Sequence, residues 1–432
     1  MKEIELKNLK GTTDFPPEEQ ALRNKIIDNL KHTFEKYGYM PLETPMLNSF
    51  DLLKYKYEDD AEILNEVYKM KDQGNRDIGL RFDLTVPFCK FIGLNHDLVM
   101  PFRRYEIGKV FRDGPVKLGR AREFYQCDVD VVGLDGRYIE IEQMQMVVNV
   151  FNSLGIDIVI KWNNRKLMSG LISTLGISED KIADTISLID RLEKISKQEL
   201  DYEFEKIGIS SNKVDELLKL FGLSLDEYTQ KYSNFDNELL KQGLIECQDI
   251  EKLIKELNLE NNTQFSPTLA RGLSIYTGTI FEFFDKQKRI TSSLGGGGRY
   301  DKIITDFMNN GISYPACGLT FGLEPIYAIL KNDNKEQFID VLIVPMGTEI
   351  KCLEIANKLR DVNANVVTDL TGKKIKKSFE YANKLNIKYV MVIGENEISS
   401  NKYSLKDMEK GEQIEVDENT LINIIKNYKL KK

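Results

Sequence analysis

The chain has 432 residues, of which 41% are hydrophobic and 30% charged, and a net charge of -8. That length exceeds what one core serves, so two or three domains are expected, and no apolar run reaches the length of a membrane span. The acidic balance argues against a protein that coats nucleic acid without specificity, while leaving room for a local basic face. Cys89, Cys127, Cys247, Cys317 and Cys352 occur singly, with no Cys-x-x-Cys pair. That pattern argues for a reducing cytoplasm and against zinc or a disulfide framework. Residues 1–7 lack the apolar stretch of a signal peptide, so a cytoplasmic location is expected. His32 and His96 lie outside every glycine-rich or arginine-rich segment, so histidine-based acid–base chemistry is not expected.

Asp14 and the prolines beside it suit a helix start, and apolar spacing from Ala21 to Tyr37 predicts a long amphipathic helix. Gly38 ends it, and residues 39–45 read as a short extended segment. Residues 67–71 and 78–83, around Gly74 and Asn75, predict an antiparallel hairpin with a helix over 84–93 packed on it. Alternation at 105–112 and 123–132 predicts two strands joined by a turn-rich loop, followed by a helix over 139–154 and a strand over 156–162. Strands linked by hairpins imply a largely antiparallel sheet with helices on one side.

Composition then shifts. Residues 164–262 carry Leu, Lys, Glu, Ile and Asp at helical spacing, which predicts a helical insertion. Strand signals resume near Thr268, and polar residues 331–336 mark a linker. Beyond it, strands at 339–345, 364–368 and 388–393 alternate with helices at 349–360 and 374–385. That rhythm predicts a small, mainly parallel α/β domain. The expected domains are therefore 1–163 with 263–330, the insertion 164–262, and 337–432.

Three segments carry the chemistry. Residues 268–282 include Arg271 and Tyr276, and residues 295–301 run Gly-Gly-Gly-Gly-Arg-Tyr-Asp. Glycine runs let a ligand lie against backbone N–H groups, and an adjacent arginine offers a planar cation for phosphate or carboxylate. In the third, Arg112, Arg120 and Arg122 flank a hairpin able to clamp a triphosphate, and Phe124 could stack on a base. Together they describe a pocket for an anionic small molecule.

With these residues in view, the chain resembles the histidyl-tRNA synthetases of class II nearly from end to end. Residues 38–45 resemble the first class II motif, 111–130 the second and 318–324 the third. Residues 271–278 and 295–301 match the two histidine-specific segments, and the tail resembles an anticodon-binding domain. The resemblance implies an α+β class II core, a six-stranded antiparallel sheet flanked by helices, with a helical insertion and a C-terminal α/β anticodon-binding domain. It implies a ligase that joins L-histidine and ATP into histidyl-adenylate and then charges tRNA(His). A homodimer is expected, with Mg²⁺ on the ATP phosphates, no zinc, no organic cofactor and no membrane.

Carried over residue by residue, the resemblance places Arg112 and Arg271 on the α-phosphate. Arg120, Phe124 and Gly322 join them around ATP. Asp83, Leu84, Thr85, Gln126, Asp130, Ile275, Tyr276 and Tyr300, with the same two arginines, surround histidine, Asp130 and Tyr276 facing the imidazole. A helix N-cap is the bland alternative for Asp83. Lys373, Lys374, Lys376 and Lys377, in a cluster that extends to Lys384 and Lys388, form the expected tRNA-facing patch. Pro325 stands where the third motif ordinarily has arginine, and Ser274–Ile275 where Asp-Tyr is usual. These departures motivate a second expectation: a synthetase-like paralogue with a regulatory or altered-specificity adenylating role.

Overall fold

The computed structural model describes residues 5–55, 62–116, 121–192, 195–232, 235–271, 275–331 and 337–431. The chain divides into two compact units, 1–14 with 22–332 and 15–21 with 333–432.

Helix α1 (Pro17–Lys36), which belongs to the first unit from Leu22 onward, buries Leu22, Ile26, Leu30 and Phe34 along one stripe at the four-residue spacing of a helix face. Strands β1 (Met40–Pro41) and β2 (Leu47–Ser49) and helix α2 (Phe50–Lys54) follow. The expected hairpin forms as β3 (Lys69–Lys71) and β4 (Asp77–Leu80), with β2 added on the far side of β4. Helix α3 (Thr85–Leu94) leads to β5 (Phe102–Phe111), β6 (Glu123–Val132), α4 (Tyr138–Ser153) and β7 (Ile158–Asn164).

Helices α5 (Arg165–Thr174), α6 (Glu179–Ile189), α7 (Lys197–Lys206), α8 (Ser211–Leu220), α9 (Leu225–Tyr232) and α10 (Glu238–Glu256) come next. Asn164 ends β7 and caps α5 by accepting the N–H groups of Lys166 and Leu167, so the sheet passes directly into helix. Glu246 on α10 returns to that junction. It accepts Asn164 Nδ2 at 2.7 Å, Lys166 Nζ at 2.6 Å and Arg137 Nη2 at 2.6 Å.

Strands β8 (Thr263–Phe265), β9 (Thr279–Asp285) and β10 (Gly295–Arg299), helix α11 (Asp301–Met308), strand β11 (Ala316–Gly322) and helix α12 (Leu323–Leu330) complete the unit. The sheet order is β1-β5-β6-β11-β10-β9-β7-β8. Every pairing from β5 through β7 is antiparallel, which is the six-stranded sheet expected from the sequence. Short β1 and β8 add parallel edges to β5 and β7 and make the whole sheet mixed.

One face of this sheet is covered by α1 and α4. Phe34 and Phe151 from those helices meet Phe321 of β11 at ring centroid distances of 5.5 and 5.9 Å, and Phe283 of β9 joins at 5.2 Å from Phe321. Burial of each such ring contributes roughly 1.5–3 kcal/mol. Because Phe321 faces the helices, its neighbours Thr320 and Gly322 face the opposite side, where the cavity lies.

The second unit carries β12 (Val341–Pro345), α13 (Glu349–Arg360), β13 (Val366–Thr368), α14 (Ile375–Lys384), β14 (Tyr389–Ile393), α15 (Glu395–Ser400), β15 (Lys402–Asp407), β16 (Gln413–Asp417) and α16 (Glu418–Lys431). Its sheet order is β13-β12-β14-β15-β16. The first three strands are parallel, as expected, but β14-β15 and β15-β16 are antiparallel, so the sheet is mixed rather than mainly parallel. Met408–Gly411 forms the β15-β16 turn, with Asp407 Oδ1 accepting the N–H groups of Glu409 and Lys410.

Candidate functional site

A cavity of about 630 Å³ opens on the opposite face of the large sheet, lined from β6, β10, β11, the 268–278 segment and the approach to α3. Arg112 and Arg271 both line it, although one follows β5 and the other precedes β9. Asp83, Thr85, Phe124, Gln126, Asp130, Ile275, Tyr276, Tyr300 and Gly322 line it too. Arg120 and Ser274 lie outside the described residues.

Arg112 donates Nε–H to the Phe82 carbonyl at 3.1 Å and lies 5.2 Å from the Phe124 ring centroid. One face of Phe124 is thus occupied by this arginine. Among the described residues Arg112 forms no carboxylate ion pair, which leaves its charge available to an anion.

Arg271 has a left-handed backbone with φ +45, unusual for a residue with a Cβ. Its guanidinium lies 5.3 Å from the Tyr276 ring centroid, donates from Nη1 to the Phe281 carbonyl at 3.3 Å, and stands 3.8 Å from Glu282 Oε1. Its buried Nε–H has no hydrogen-bond partner among the described residues.

The glycine run acts differently from the sequence expectation. Residues 295–299 are a central strand, and residues 295–298 are paired on both sides with β9 and β11, so the ladder engages this backbone rather than leaving it as a ligand loop. Side-chain absence is what matters. A Cβ on Gly296 would stand 2.0 Å from Arg271 Nη1, and one on Gly318 would stand 1.9 Å from Asp130 Oδ1. Strand alternation also turns Arg299 away from the cavity that Tyr300 lines. Arg299 is buried, bonded to Glu140 Oε1 at 2.8 Å and Asp301 Oδ1 at 3.1 Å, so it is a structural cation and not a phosphate ligand.

Asp130 is held from two sides. Tyr300 donates its hydroxyl to Oδ1, and Arg104 Nη2 stands 2.7 Å from Oδ2. Burial, then the Asp130 charge, holds the Tyr300 hydroxyl well above its ordinary range, so it stays a donor. Arg104 is wholly buried on β5, 4.3 Å from the Phe88 ring centroid, with Glu106 Oε2 at 3.6 Å. Behind it Arg81 donates to Glu106 at 2.7 Å, and the Thr44 N–H does so at 2.9 Å.

The family model described as histidyl-tRNA synthetase matches residues 11–326, and an anticodon binding domain model matches 340–428. The chain belongs to the histidyl-tRNA synthetase family. It is similar to "Histidine--tRNA ligase 1" of Bacillus cereus, 44% identical over 419 residues that cover 96% of this chain and 98% of that one. "Histidine--tRNA ligase" of Clostridium tetani is 33% identical, covering 97% and 98%. The crystal structure of histidyl-tRNA synthetase from Nostoc superposes with a TM-score of 0.85 at 29% identity, covering 99% of this chain and all of that one. The class II core and the C-terminal anticodon-binding domain expected from the sequence are therefore present.

Of the described residues that the resemblance leads one to expect around histidine or ATP, only Leu84 does not line the cavity. Its side chain is fully buried ahead of α3, and its carbonyl accepts Arg104 Nη2 at 3.3 Å. Asp83 performs the cap weighed from sequence, accepting the Val86 N–H at 3.0 Å, while also lining the cavity. The third-motif Glu324 pairs with buried Arg23 at 2.9 Å and accepts the Tyr125 N–H at 3.3 Å. Pro325 lines the cavity beside it. Arg122, a possible substitute for the missing arginine, is paired with Asp113 at 3.0 Å instead.

Sequence reasoning missed Asp128, Thr320 and Ser293, which line the cavity, and Arg104 behind it. The alternation of β6 held a signal for Asp128, two residues from both Gln126 and Asp130.

In the second unit Lys373 and Lys377 border a cavity of about 490 Å³ with Asp369, Tyr381 and Lys384. Lys374 and Lys376 are exposed at the start of α14. Lys388 is not part of a free basic face. It is bound to Asp407 at 3.0 Å and Glu409 at 2.6 Å.

Proposed function

We infer that this chain is a histidine–tRNA ligase: it activates L-histidine with ATP and passes the histidyl group to the terminal ribose of tRNA(His). The observation that carries the reading is the meeting of Arg112 and Arg271 in one cavity whose floor is acidic. In activation the histidine carboxylate attacks the α-phosphorus of ATP and pyrophosphate leaves. Negative charge concentrates at that phosphorus, and fixed cations stabilise it without reorganising.

In this reading Arg112 and Arg271 hold the α-phosphate, with Phe124 and Gly322 beside the nucleotide. Mg²⁺ enters with ATP as part of the substrate. Asp130 and Tyr276 read the imidazole, which in its neutral form offers one donor and one acceptor. An amino acid lacking both leaves buried partners unpaired and is rejected. Thr85, Gln126, Ile275 and Tyr300 complete the histidine site. Lys373, Lys374, Lys376 and Lys377 face tRNA.

A homodimer is part of the proposal, supported by exposed Met40, Met46 and Leu47 in and after the first-motif segment. A reducing, cytoplasmic setting is supported by five free cysteines, all buried. No described helix is long and apolar enough to cross a membrane. No observation favours the regulatory or altered-specificity alternative.

Histidine-dependent exchange of pyrophosphate into ATP, followed by charging of histidine tRNA, tests the reading. Exchange with another amino acid in place of histidine would overturn the specificity, and absence of any exchange would overturn the activity.

A further inference from the structure

Helix α1 covers the face of the large sheet opposite the cavity, yet one of its side chains meets the cavity wall. Arg23 is 2% exposed, and its Nη2 donates to Glu324 Oε1 at 2.9 Å. Glu324 lies in the first turn of α12 and lines the cavity with Gly322 and Pro325. Its two carboxylate oxygens also accept the Tyr125 N–H, each at 3.3 Å, which ties the start of α12 to β6 beside Phe124. The Arg23 guanidinium stands 5.7 Å from the Tyr125 ring centroid and 5.6 Å from that of Tyr327. Two rings and a carboxylate give the planar cation a fixed position.

Glu324 carries the wrong charge for the ligand read beside it. Asp83 and Asp130 line the part of the cavity read as the histidine site, whereas Glu324 lies with Phe124 and Gly322 in the nucleotide wall. ATP remains an anion with Mg²⁺ bound, and an uncompensated carboxylate facing it in a partly buried site repels it. Arg112 and Arg271, the arginines that line the cavity among the described residues, are assigned to the α-phosphate. Pro325 carries no charge, and Arg122 is turned to Asp113. Pairing with Arg23 makes Glu324 half of a nearly neutral dipole and leaves its oxygens on the Tyr125 backbone. Arg23 does this from behind the wall, without occupying space that a nucleotide needs.

We propose that Arg23 is a positioning residue for ATP: acting through Glu324, it cancels a carboxylate charge in the nucleotide wall and keeps that carboxylate bonded to the Tyr125 backbone. A cation absent at position 325 is thus balanced by one on α1. The proposal rests on the ligase reading for the placement of ATP.

The test is calorimetric titration of the full chain and its variants with ATP and Mg²⁺ and, separately, with L-histidine. Arg23→Met, which keeps much of the apolar length, leaves Glu324 uncompensated and should weaken ATP on the order of 10-fold. Histidine should change by less than about two-fold, which reports an intact fold. Adding Glu324→Gln removes the stray charge but keeps an acceptor for the Tyr125 N–H, so the double variant should return to within about three-fold of wild type for ATP. Arg23→Lys, which keeps the charge, should fall between wild type and Arg23→Met. An arginine that merely packs predicts that both ligands weaken together and that the second substitution makes both worse. That pattern, or unchanged ATP affinity in Arg23→Met, overturns the proposal. If Arg23→Met does not fold, Glu324→Gln alone decides: it uncovers the Arg23 charge and should tighten ATP, and a chain that binds ATP no more tightly overturns the proposal. A wild type that binds ATP but not histidine sinks the ligase reading and leaves the ATP comparisons standing, and one that binds no ATP overturns both.

Discussion

Arg271 occupies the space that a side chain on Gly296 would fill, since a Cβ there would stand 2.0 Å from its Nη1. The central strand is bare at this point so that a guanidinium can lie on it. Gly296→Ala should therefore displace this arginine as well as press on the Phe281 carbonyl, which would lie 2.6 Å from the same Cβ. Loss of one preorganised charge contact at a reacting centre lowers turnover about 10²- to 10³-fold. Pyrophosphate exchange should fall by that order in both Gly296→Ala and Arg271→Ala, with histidine affinity changing much less. Normal exchange in Arg271→Ala would remove that residue from the reaction.

The Asp128 carboxyl gives a pH signature. Its value rises to about 7 on folding, so the folded chain retains a proton there that the unfolded chain has lost. Stability linked to this group is fully present below the ordinary carboxylate value and disappears as pH rises through about 7. Thermal unfolding midpoints of the ligand-free wild type should fall relative to Asp128→Asn between about pH 4 and about pH 7 and level off above that. Parallel pH profiles for the two proteins would contradict this.

The lysines of the second unit separate by their partners. Lys373 and Lys377 border a cavity, whereas Lys388 is spent on Asp407 and Glu409. Lys373→Glu with Lys377→Glu should raise the KM for tRNA on the order of 10-fold and flatten its salt dependence. Pyrophosphate exchange, which involves no tRNA, should be unchanged. Lys388→Ala should leave the KM for tRNA unaltered.

Phe321 sits where Phe34, Phe151 and Phe283 converge beneath the cavity. Truncation to alanine should cost roughly 3–5 kcal/mol, read from chemical denaturation of the first unit. Phe321→Leu, which keeps most of the volume, should cost roughly half as much or less.

Local pattern made much of this molecule legible. The alternation at 123–132 matches β6, and apolar spacing located α4 within one residue at each end. Contacts across strands were another matter. Four consecutive glycines suggested backbone N–H groups open to a ligand, whereas β9 and β11 pair that backbone as a strand. Arg104 carries no local mark of burial, since its environment is assembled from β5, β6 and the approach to α3. Arg299 looked like a phosphate ligand until Glu140, distant in sequence, was seen to hold it. The antiparallel half of the second sheet was missed because β15 and β16 are strongly polar, unlike the apolar β12 and β14.

Glu246 draws Asn164, Lys166 and Arg137 onto one carboxylate, so the helices that interrupt the large sheet are fastened at the point where they leave it. A shortened chain that splices β7 directly to β8 would therefore remove Glu246 and leave Arg137 with Glu140 alone, a carboxylate already shared with Arg299. The insertion is thus rooted in a charge network that runs from Glu246 through Arg137 and Glu140 to Arg299, the residue before Tyr300.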